Sequence, residues 1–300
     1  VWQGDTEPWN FGDGTQGNPY LIENAAQLAY MANEINTNSD AYVGDYFQLV
    51  SDIDLNGLHW GGIGHTPPNS FQGHFDGNNH TIDNLNITIT FIDNSPIYIG
   101  LFGYLDSASV SNVHIIGNSQ INVNRSNTVT YYVGSIAAYL DESEIINCSS
   151  EAAIYVERTT TYSTAFEIHL GGICGYATGP LTKIDKALHS GTMEYKFNLN
   201  SQSSATYIWR HYIGGVLGYL HGGALLTNSG HVNPIRITSD MSGHGRIGYI
   251  YGGGVVGYMS GTIANPVIVE KCYNRGNVTA NVRGQHTYSS TGYATTSHLY

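Results

Sequence analysis

Charge is what this chain has least of. Among 300 residues there are 11 Lys and Arg against 23 Asp and Glu, so 11% of the chain is charged and the net charge is −12. Only four of the cations are lysines. Nucleic acid and anionic membrane both require a basic patch, and neither is expected as a partner. Three cysteines are too few, and odd in number, for a disulfide framework. No apolar run approaches the ~18 residues of a membrane-spanning helix, so no membrane insertion by this chain is expected. No signal peptide opens the sequence. It begins at Val1, which reads as a mature or truncated chain whose targeting segment lies elsewhere. The zinc-peptidase pattern H-E-x-x-H is missing, because none of the 13 histidines precedes a glutamate. G-x-S-x-G and the P-loop are missing too. The expectation is no catalytic residue and no cofactor.

What is plentiful points elsewhere. There are 37 glycines and 23 tyrosines, with Asn, Ser and Thr throughout. Uncharged polar residues with many aromatics suit an extracellular, β-rich surface. Internal repetition then sets the fold class. Five pentads match: GLFGY (100–104), SIAAY (135–139), GICGY (172–176), GVLGY (215–219) and GVVGY (254–258). Their closing tyrosines, Tyr104, Tyr139, Tyr176, Tyr219 and Tyr258, are separated by 35, 37, 43 and 39 residues. After each pentad come a polar turn, a short apolar segment and an alternating run that leads out, such as EAAIYVER (151–158) or MEYKFNLN (193–200). A polar tip and a second alternating run, such as AFEIHLGG (165–172), return to the next pentad. Alternation with period two marks half-buried strands. The out-and-back pairs read as projecting hairpins or arches.

Units of this length without helical periodicity predict a right-handed parallel β-helix (a β-solenoid), in which each turn stacks on the next and like side chains form ladders. A propeller blade has a similar length, but the chain lacks room for six or seven blades. Slot by slot, Cys174 aligns with Phe102, Ala137, Leu217 and Val256, while Cys148 and Cys272 align with Ala187 and Leu226. These are apolar slots, and buried packing thiols are expected there.

Residues 1–45 differ and read as a cap, with 46–300 as one continuous solenoid of about five repeats. NAAQLAYMANEI (24–35) is the one strong helical pattern. Asn24 suits its N-cap, Gln27 the reciprocal capping position, and Leu28, Met31, Ala32 and Ile35 share one face. An amphipathic helix there would cover the open end of the core. The run YFQLVSDIDL (46–55) would be the first rung.

GTQGNPYLIENAAQLAYMANEIN, YVGDYFQLVSDIDL, WGGIG, FQGHFDGNNHTIDNLNI and GLFGY follow one another in that order. This series, with the pentads followed by NCSS or CYNRGNV, resembles the N-terminal β-helical region of bacterial surface proteins that carry GLUG repeats. Such repeats occur in large adhesin-like proteins, notably of gut Bacteroidetes, and in immunoglobulin A protease-type zinc metallopeptidases. The resemblance covers nearly the whole chain. SIAAY and ALHSG depart from the pattern by losing a Gly or the Cys. It implies a β-helix and a surface location, and assigns no activity.

Two stretches invite chemistry. SFQGHFDGNNHTIDNL (70–85) collects His74, Asp76, His80 and Asp83. Asp76-Gly77-Asn78-Asn79 is also a strong turn signal between inward-facing Phe75 and Ile82, so the segment reads as a scaffold corner. Asp52, Asp54 and Asn56 match the first half of a calcium loop, but Ile63 stands where the twelfth-position Glu belongs. Aromatic residues on the alternating runs remain as a candidate ligand surface: Tyr131, Tyr132, Tyr155, Tyr162, Tyr207, Trp209, Tyr212, Tyr249, Tyr251 and Tyr288. The same rings would equally serve as ladders shielding the sheet. The expected role is a cell-surface or secreted adhesion region that presents strands and loops to a host glycoprotein, a glycan or a neighbouring bacterial surface protein. The alternatives are an accessory region of an immunoglobulin A protease-like metallopeptidase and a carbohydrate-active β-helix enzyme.

Overall fold

A computed structural model describes residues 2–89, 96–125, 129–160, 166–199, 208–241, 247–284 and 296–299. The chain is a parallel β-solenoid, nearly all β, with one α-helix among the described residues. One turn shows the plan. Glu144–Ile146 and Ser149–Ser150 form two short walls, Ala153–Thr160 runs outward, Glu167–Gly171 returns, and Cys174–Thr178 carries the pentad. Each strand pairs in parallel with its counterparts in neighbouring turns, which gives five sheets of eight, seven, six, six and five strands. The projections are therefore arches rather than hairpins: outbound and return strands belong to different sheets and do not pair with each other.

The corners explain the sequence's asparagines. Asn78, Asn112, Asn147 and Asn228 occupy one corner with φ between 49 and 55°, where short polar side chains are tolerated. They also stitch turn to turn. Asn147 Nδ2 donates to Asn112 Oδ1 (2.7 Å), and Asn112 Nδ2 donates to Asp76 Oδ1 (2.8 Å).

The pentad has a structural reason as well. Its fourth residue drops out of the pairing register in every turn: Ala137 pairs with Cys174 and Tyr139 with Tyr176, but Ala138 and Gly175 are skipped. Alternation breaks there, as in a bulge. Cys174 and Ala177, three apart, both face the core, and Tyr176 between them turns outward. The return strand passes so close that a Cβ on Gly175 would lie 2.7 Å from Val133 N. A small residue is required.

The Cys174 ladder forms as read from the sequence, with Phe102, Ala137, Leu217 and Val256 in register. The Cys148 ladder needs a correction. Pairing of His114 with Ser149, Ser149 with Leu188, Leu188 with Gly230 and Gly230 with Tyr273 sets the slot before them as Val113, Cys148, Ala187, Ser229 and Cys272. Leu226 lies instead in the preceding wall, beside Ile184 and Val269. Ser229 is tolerated in this buried slot because its hydroxyl accepts from Ala187 N (3.0 Å) and donates to Thr227 O (2.6 Å).

Cys148 and Cys174 are buried, whereas Cys272 is only half-buried. Burial pushes the Cys148 thiol up to about 12. We expect a thiol reagent to label Cys272 in the native protein and to reach Cys148 and Cys174 only after denaturation. Three steps of ~4.8 Å, past Ala187 and Ser229, put Cys148 and Cys272 beyond disulfide range. A Cys148–Cys272 crosslink in a non-reducing mass map would contradict the ladder.

The helix spans Ala25–Thr37. Asn24 Oδ1 accepts from Gln27 N (2.9 Å), and Gln27 Oε1 accepts from Glu23 N (2.8 Å), one residue ahead of the cap. Leu28, Met31, Ala32 and Ile35 are buried in the same core cluster as Phe47 and Trp60. The strand before the helix, Tyr20–Ile22, pairs in parallel with Tyr46–Leu49 and so adds a strand to the first wall.

Candidate binding face

Two rows of rings run along the outside of the solenoid. The first holds the pentad tyrosines. Tyr104 and Tyr139 stack at 4.5 Å and 10°, Tyr139 and Tyr176 at 4.7 Å and 20°. From Tyr176 to Tyr219 and on to Tyr258 the rings turn edge-on, at 75° and 82°. The second row comes from the return strands: Tyr98, Tyr132, His169, Tyr212 and Tyr251, paired in register. Their centroid separations are 5.0, 4.7, 4.9 and 5.3 Å.

The rows also pack against each other. Tyr132 meets Tyr139 edge-to-face at 5.1 Å, and Tyr251 meets Tyr258 at 4.8 Å. Outward-facing rings of two successive strands touch only if the corner between those strands is concave. The groove is thus a small aromatic core outside the main one. Edge-to-face pairs are worth ~0.5–1.5 kcal/mol each beyond the area they bury. Stacking consumes most of the ring faces and leaves edges and hydroxyls. Burial raises the phenol pKa of Tyr132 and Tyr139, and that of Tyr176 to about 12, so these three rings are uncharged at any physiological pH.

His169 is the polar break in the row. Its Nε2 lies 3.2 Å from Glu167 Oε2, and Glu167 Oε1 is 3.5 Å from Arg210 Nη1. The hydrogen bond with His169 holds the Glu167 carboxyl below its usual range, and burial pushes the His169 imidazole down. Glu167 and Arg210 are opposite one another on adjacent strands, so the pair is a local charge balance on the sheet surface.

The predicted aromatic residues separate into three groups. Tyr132, Tyr212 and Tyr251 belong to the outer row, with Tyr212 almost fully covered by its neighbours. Tyr249 is half-buried beside Tyr251, and Tyr155, half-buried on the outbound sheet, donates its hydroxyl to Glu157. Tyr131 and Trp209 are a correction: both are fully buried inside the arch. The arch has its own interior, and alternation alone does not say which face of a strand looks into it. Tyr162, Tyr207 and Tyr288 lie outside the described residues.

His74, Asp76, His80 and Asp83 are not brought together. His74 and Asp76 sit on one wall and Asp83 on the next. His74 Nδ1 is 2.8 Å from Ser109 Oγ, and Asp76 Oδ1 accepts from Asn78 N and Asn112 Nδ2. Asn78 and Asn79 have φ of 49 and 60°, so the stretch is a left-handed corner. In the calcium-like stretch, Asp52 Oδ1 accepts from Thr81 N, and Asp54 Oδ1 accepts from Asn56 N and Asn84 Nδ2. These carboxylates tie the first turn to the second. Among the described residues, no three His, Cys, Asp or Glu side chains gather as a metal site.

No family model matches the chain. It is 39% identical over 126 residues to a protein of Evansella cellulosilytica provisionally designated a Gly-rich membrane protein, and 34% identical over 122 residues to halomucin of Haloquadratum walsbyi. The matches take in 39% and 37% of this chain but 13% and 1% of those proteins, so the chain spans a small part of either. Among solved structures it is similar to a protein of Bacteroides ovatus provisionally designated an immunoglobulin A1 protease. The TM-score is 0.51 at 20% identity, over 97% of this chain and 87% of that one.

The likeness is one of fold. The parallel solenoid is common to both chains, and at that identity no residue role transfers. The GLUG resemblance rests on the residues quoted for it. No helix among the described residues is long and apolar enough to cross a membrane.

Sequence reasoning missed the buried polar groups. Arg158 is fully buried in the arch, its guanidinium 3.4 Å from the Phe166 ring centroid and its Nη1 donating to Val129 O (2.8 Å). Desolvation lowers its pKa to about 10. His211 lies in the slot of Tyr131, Ile168 and Ile250, with its Nδ1 2.8 Å from the Tyr195 hydroxyl. His189 and His231 occupy one buried slot of the second wall, with their Nδ1 atoms 3.0 Å apart. Gly172, at the opening of its pentad, leaves room for the first of these imidazoles: a Cβ there would lie 2.4 Å from the His189 ring. The signal was present as two histidines that follow the closing tyrosines of successive pentads, Tyr176 and Tyr219, by 13 and 12 residues.

Proposed function

We propose that this chain is a non-catalytic binding region of a cell-surface or secreted protein, and that the concave aromatic face is what it presents. The ladder carries this reading. It is a rigid, uncharged row of phenol edges and hydroxyls repeating once per turn, and rigid aromatics bind with little loss of conformational entropy. The low charge of the chain and its GLUG resemblance support it. So do the designations of the relatives, one a Gly-rich membrane protein and the other halomucin. The partner is a host glycoprotein, a glycan or a neighbouring bacterial surface protein. The fold likeness to the Bacteroides ovatus protein favours a second reading, an accessory region of an immunoglobulin A protease-like enzyme whose zinc domain lies elsewhere.

The test is retention. Purified chain is immobilised and offered mucin glycoprotein, immunoglobulin A and intact bacterial cells. At least one should be retained, and Tyr139→Ser combined with Tyr176→Ser should weaken retention by about tenfold or more. Circular dichroism should be unchanged, since the ladder lies outside the main core. Retention of none of the three, or retention indifferent to both substitutions, would remove the assignment.

A further inference from the structure

The first turn of the solenoid has no arch. Residues 55–63 cross directly, with no strand of their own after Ile53–Asp54, and join the second turn through single bridges from His59 to Asn86 and from Ile63 to Phe102 and through scattered hydrogen bonds such as Asn86 Nδ2 to Gly57 O (2.8 Å). The space an arch would fill is left beside the helix. There the N-terminal segment, the second half of the helix and the loop around residues 60–65 enclose a cleft of about 340 Å³. A second cleft, of about 200 Å³, shares the wall made by Trp60, Gly61 and His65 and reaches the Tyr98 ring, the first of the return-strand row.

That shared wall is held in place from several directions. Asn36, on the helix, donates through Nδ2 to Gly62 O (2.8 Å) and accepts through Oδ1 from His65 N (3.1 Å). Asn69 Nδ2 donates to Asn36 O (2.7 Å), and the Trp60 indole donates to Leu101 O (3.0 Å). Trp2 closes the outer side, meeting Trp60 edge-to-face at 5.7 Å. Preformed, concave sites with apolar walls and a few fixed polar groups are where small ligands bind.

The lining specifies the ligand's chemistry. No Asp, Glu, Lys or Arg lines either cleft. Desolvation lowers the pKa of both His59 and His65, so both imidazoles are neutral at pH 7, each a donor and an acceptor. A charged ligand would find no counter-charge among these lining side chains, and a purely apolar one would leave the polar groups unpaired. Indole rings beside amides, hydroxyls and neutral imidazoles suit a molecule with C–H faces and hydroxyl edges.

We propose that the paired clefts flanking Trp60, Gly61 and His65 bind a linear, neutral oligosaccharide, with one sugar against Trp2 and Asn33 and a neighbouring sugar towards Tyr98. The inference rests on the reading of the chain as a binding region and deepens it, placing a saccharide site at the first-turn end of the aromatic face, lined by neither Tyr139 nor Tyr176.

The test uses the whole chain and three defined probes by titration calorimetry: cellohexaose and mannohexaose as cell-wall-type chains, and lacto-N-tetraose as a host-type neutral chain. One source should bind, with a change in tryptophan fluorescence. Trp2→Ala and Asn33→Ala should each raise its Kd at least tenfold, while Leu181→Asp, an exposed position that lines neither cleft, leaves it within twofold. Neither Asn33 nor Trp2 is fully buried, so at least one variant should keep the wild-type melting temperature. Binding by none of the three probes would overturn the inference. So would binding unaffected by both cleft variants, or tighter Trp2-dependent binding of a polygalacturonate or a sialylated chain. None of these results touches the retention test on the ladder.

Discussion

Leu217→Asp should abolish the native fold or lower its melting temperature by about 10 °C or more, whereas Leu181→Asp should shift it by no more than about 2 °C. The two substitutions are chemically identical and differ only in place. Leu217 is fully buried between Cys174 and Val256 in the pentad ladder. Replacing it removes ~2 kcal/mol of apolar burial and adds a carboxyl group with no partner, for a total on the order of 4 kcal/mol. Leu181 is 72% exposed at a corner and loses almost nothing. Because each turn rests on its neighbours, damage at Leu217 should spread to the turns on either side. Equal melting shifts for the two variants would show that the ladder register is wrong.

Acid should unfold this protein well above the pH at which carboxylates titrate. His189 and His211 are fully buried and neutral. Burial pushes the His189 pKa down to about 3, and that of His211 well below the usual imidazole value. His169 and His231 are shifted in the same direction, again mainly by burial. In the unfolded chain each takes up a proton below pH ~6.5, and in the native state only at lower pH. The unfolded state therefore binds more protons throughout this window, so stability falls as pH falls.

The geometry gives the reason for His189. Its Nε2 is 3.1 Å from Ala152 O, an acceptor only, so Nε2 carries the hydrogen and Nδ1 must accept from His231 Nδ1. A proton added at Nδ1 would set two N–H groups against each other. Each such histidine contributes up to ~1.4 kcal/mol per pH unit. Between pH 6.5 and 5 His189 and His211 together should remove roughly 3 kcal/mol. Denaturant midpoints measured across that range should fall steadily, and His189→Gln should reduce the slope by about one proton. A midpoint that stays level from pH 7 to 5 would contradict this account.

The pentads made the fold legible. Five copies of one apolar motif, each closed by Tyr, fixed the ladder of Phe102, Ala137, Cys174, Leu217 and Val256, and the structure places all five in register. The helix was legible because Asn24 and Gln27 bracket its start and Leu28, Met31 and Ile35 share a face. The Cys148 slot was read three residues off in one turn. Leu226 looked right by polarity, but the corner at Asn228 fixes the register, and there a serine with two hydrogen bonds takes the apolar slot. The aromatic surface was only partly legible. Tyr131 and Tyr132 are adjacent and identical, yet one faces the arch interior and the other the outer groove. Only contact with the opposing strands, which brings Arg158 over Tyr131 and Tyr139 against Tyr132, distinguishes them. The concave groove itself was not legible, because it depends on a bend at the pentad glycine rather than on either strand alone.

The central claim is that this solenoid binds without catalysing. Zinc hydrolysis needs ligating histidines with a carboxylate placed to activate water, and glycan hydrolysis needs two carboxyls at a fixed separation. The helix Ala25–Thr37 holds no histidine, and Asp52 and Asp54 are engaged by Thr81, Asn56 and Asn84. The decisive measurement is incubation of the purified chain with immunoglobulin A, mucin and a pectin-type polymer, following substrate size by mass and bound metal by elemental analysis. The account predicts intact substrates and no stoichiometric zinc. Metal-dependent cleavage that disappears on His74→Ala or His80→Ala would contradict it, and would make the corner at residues 70–85 an active site.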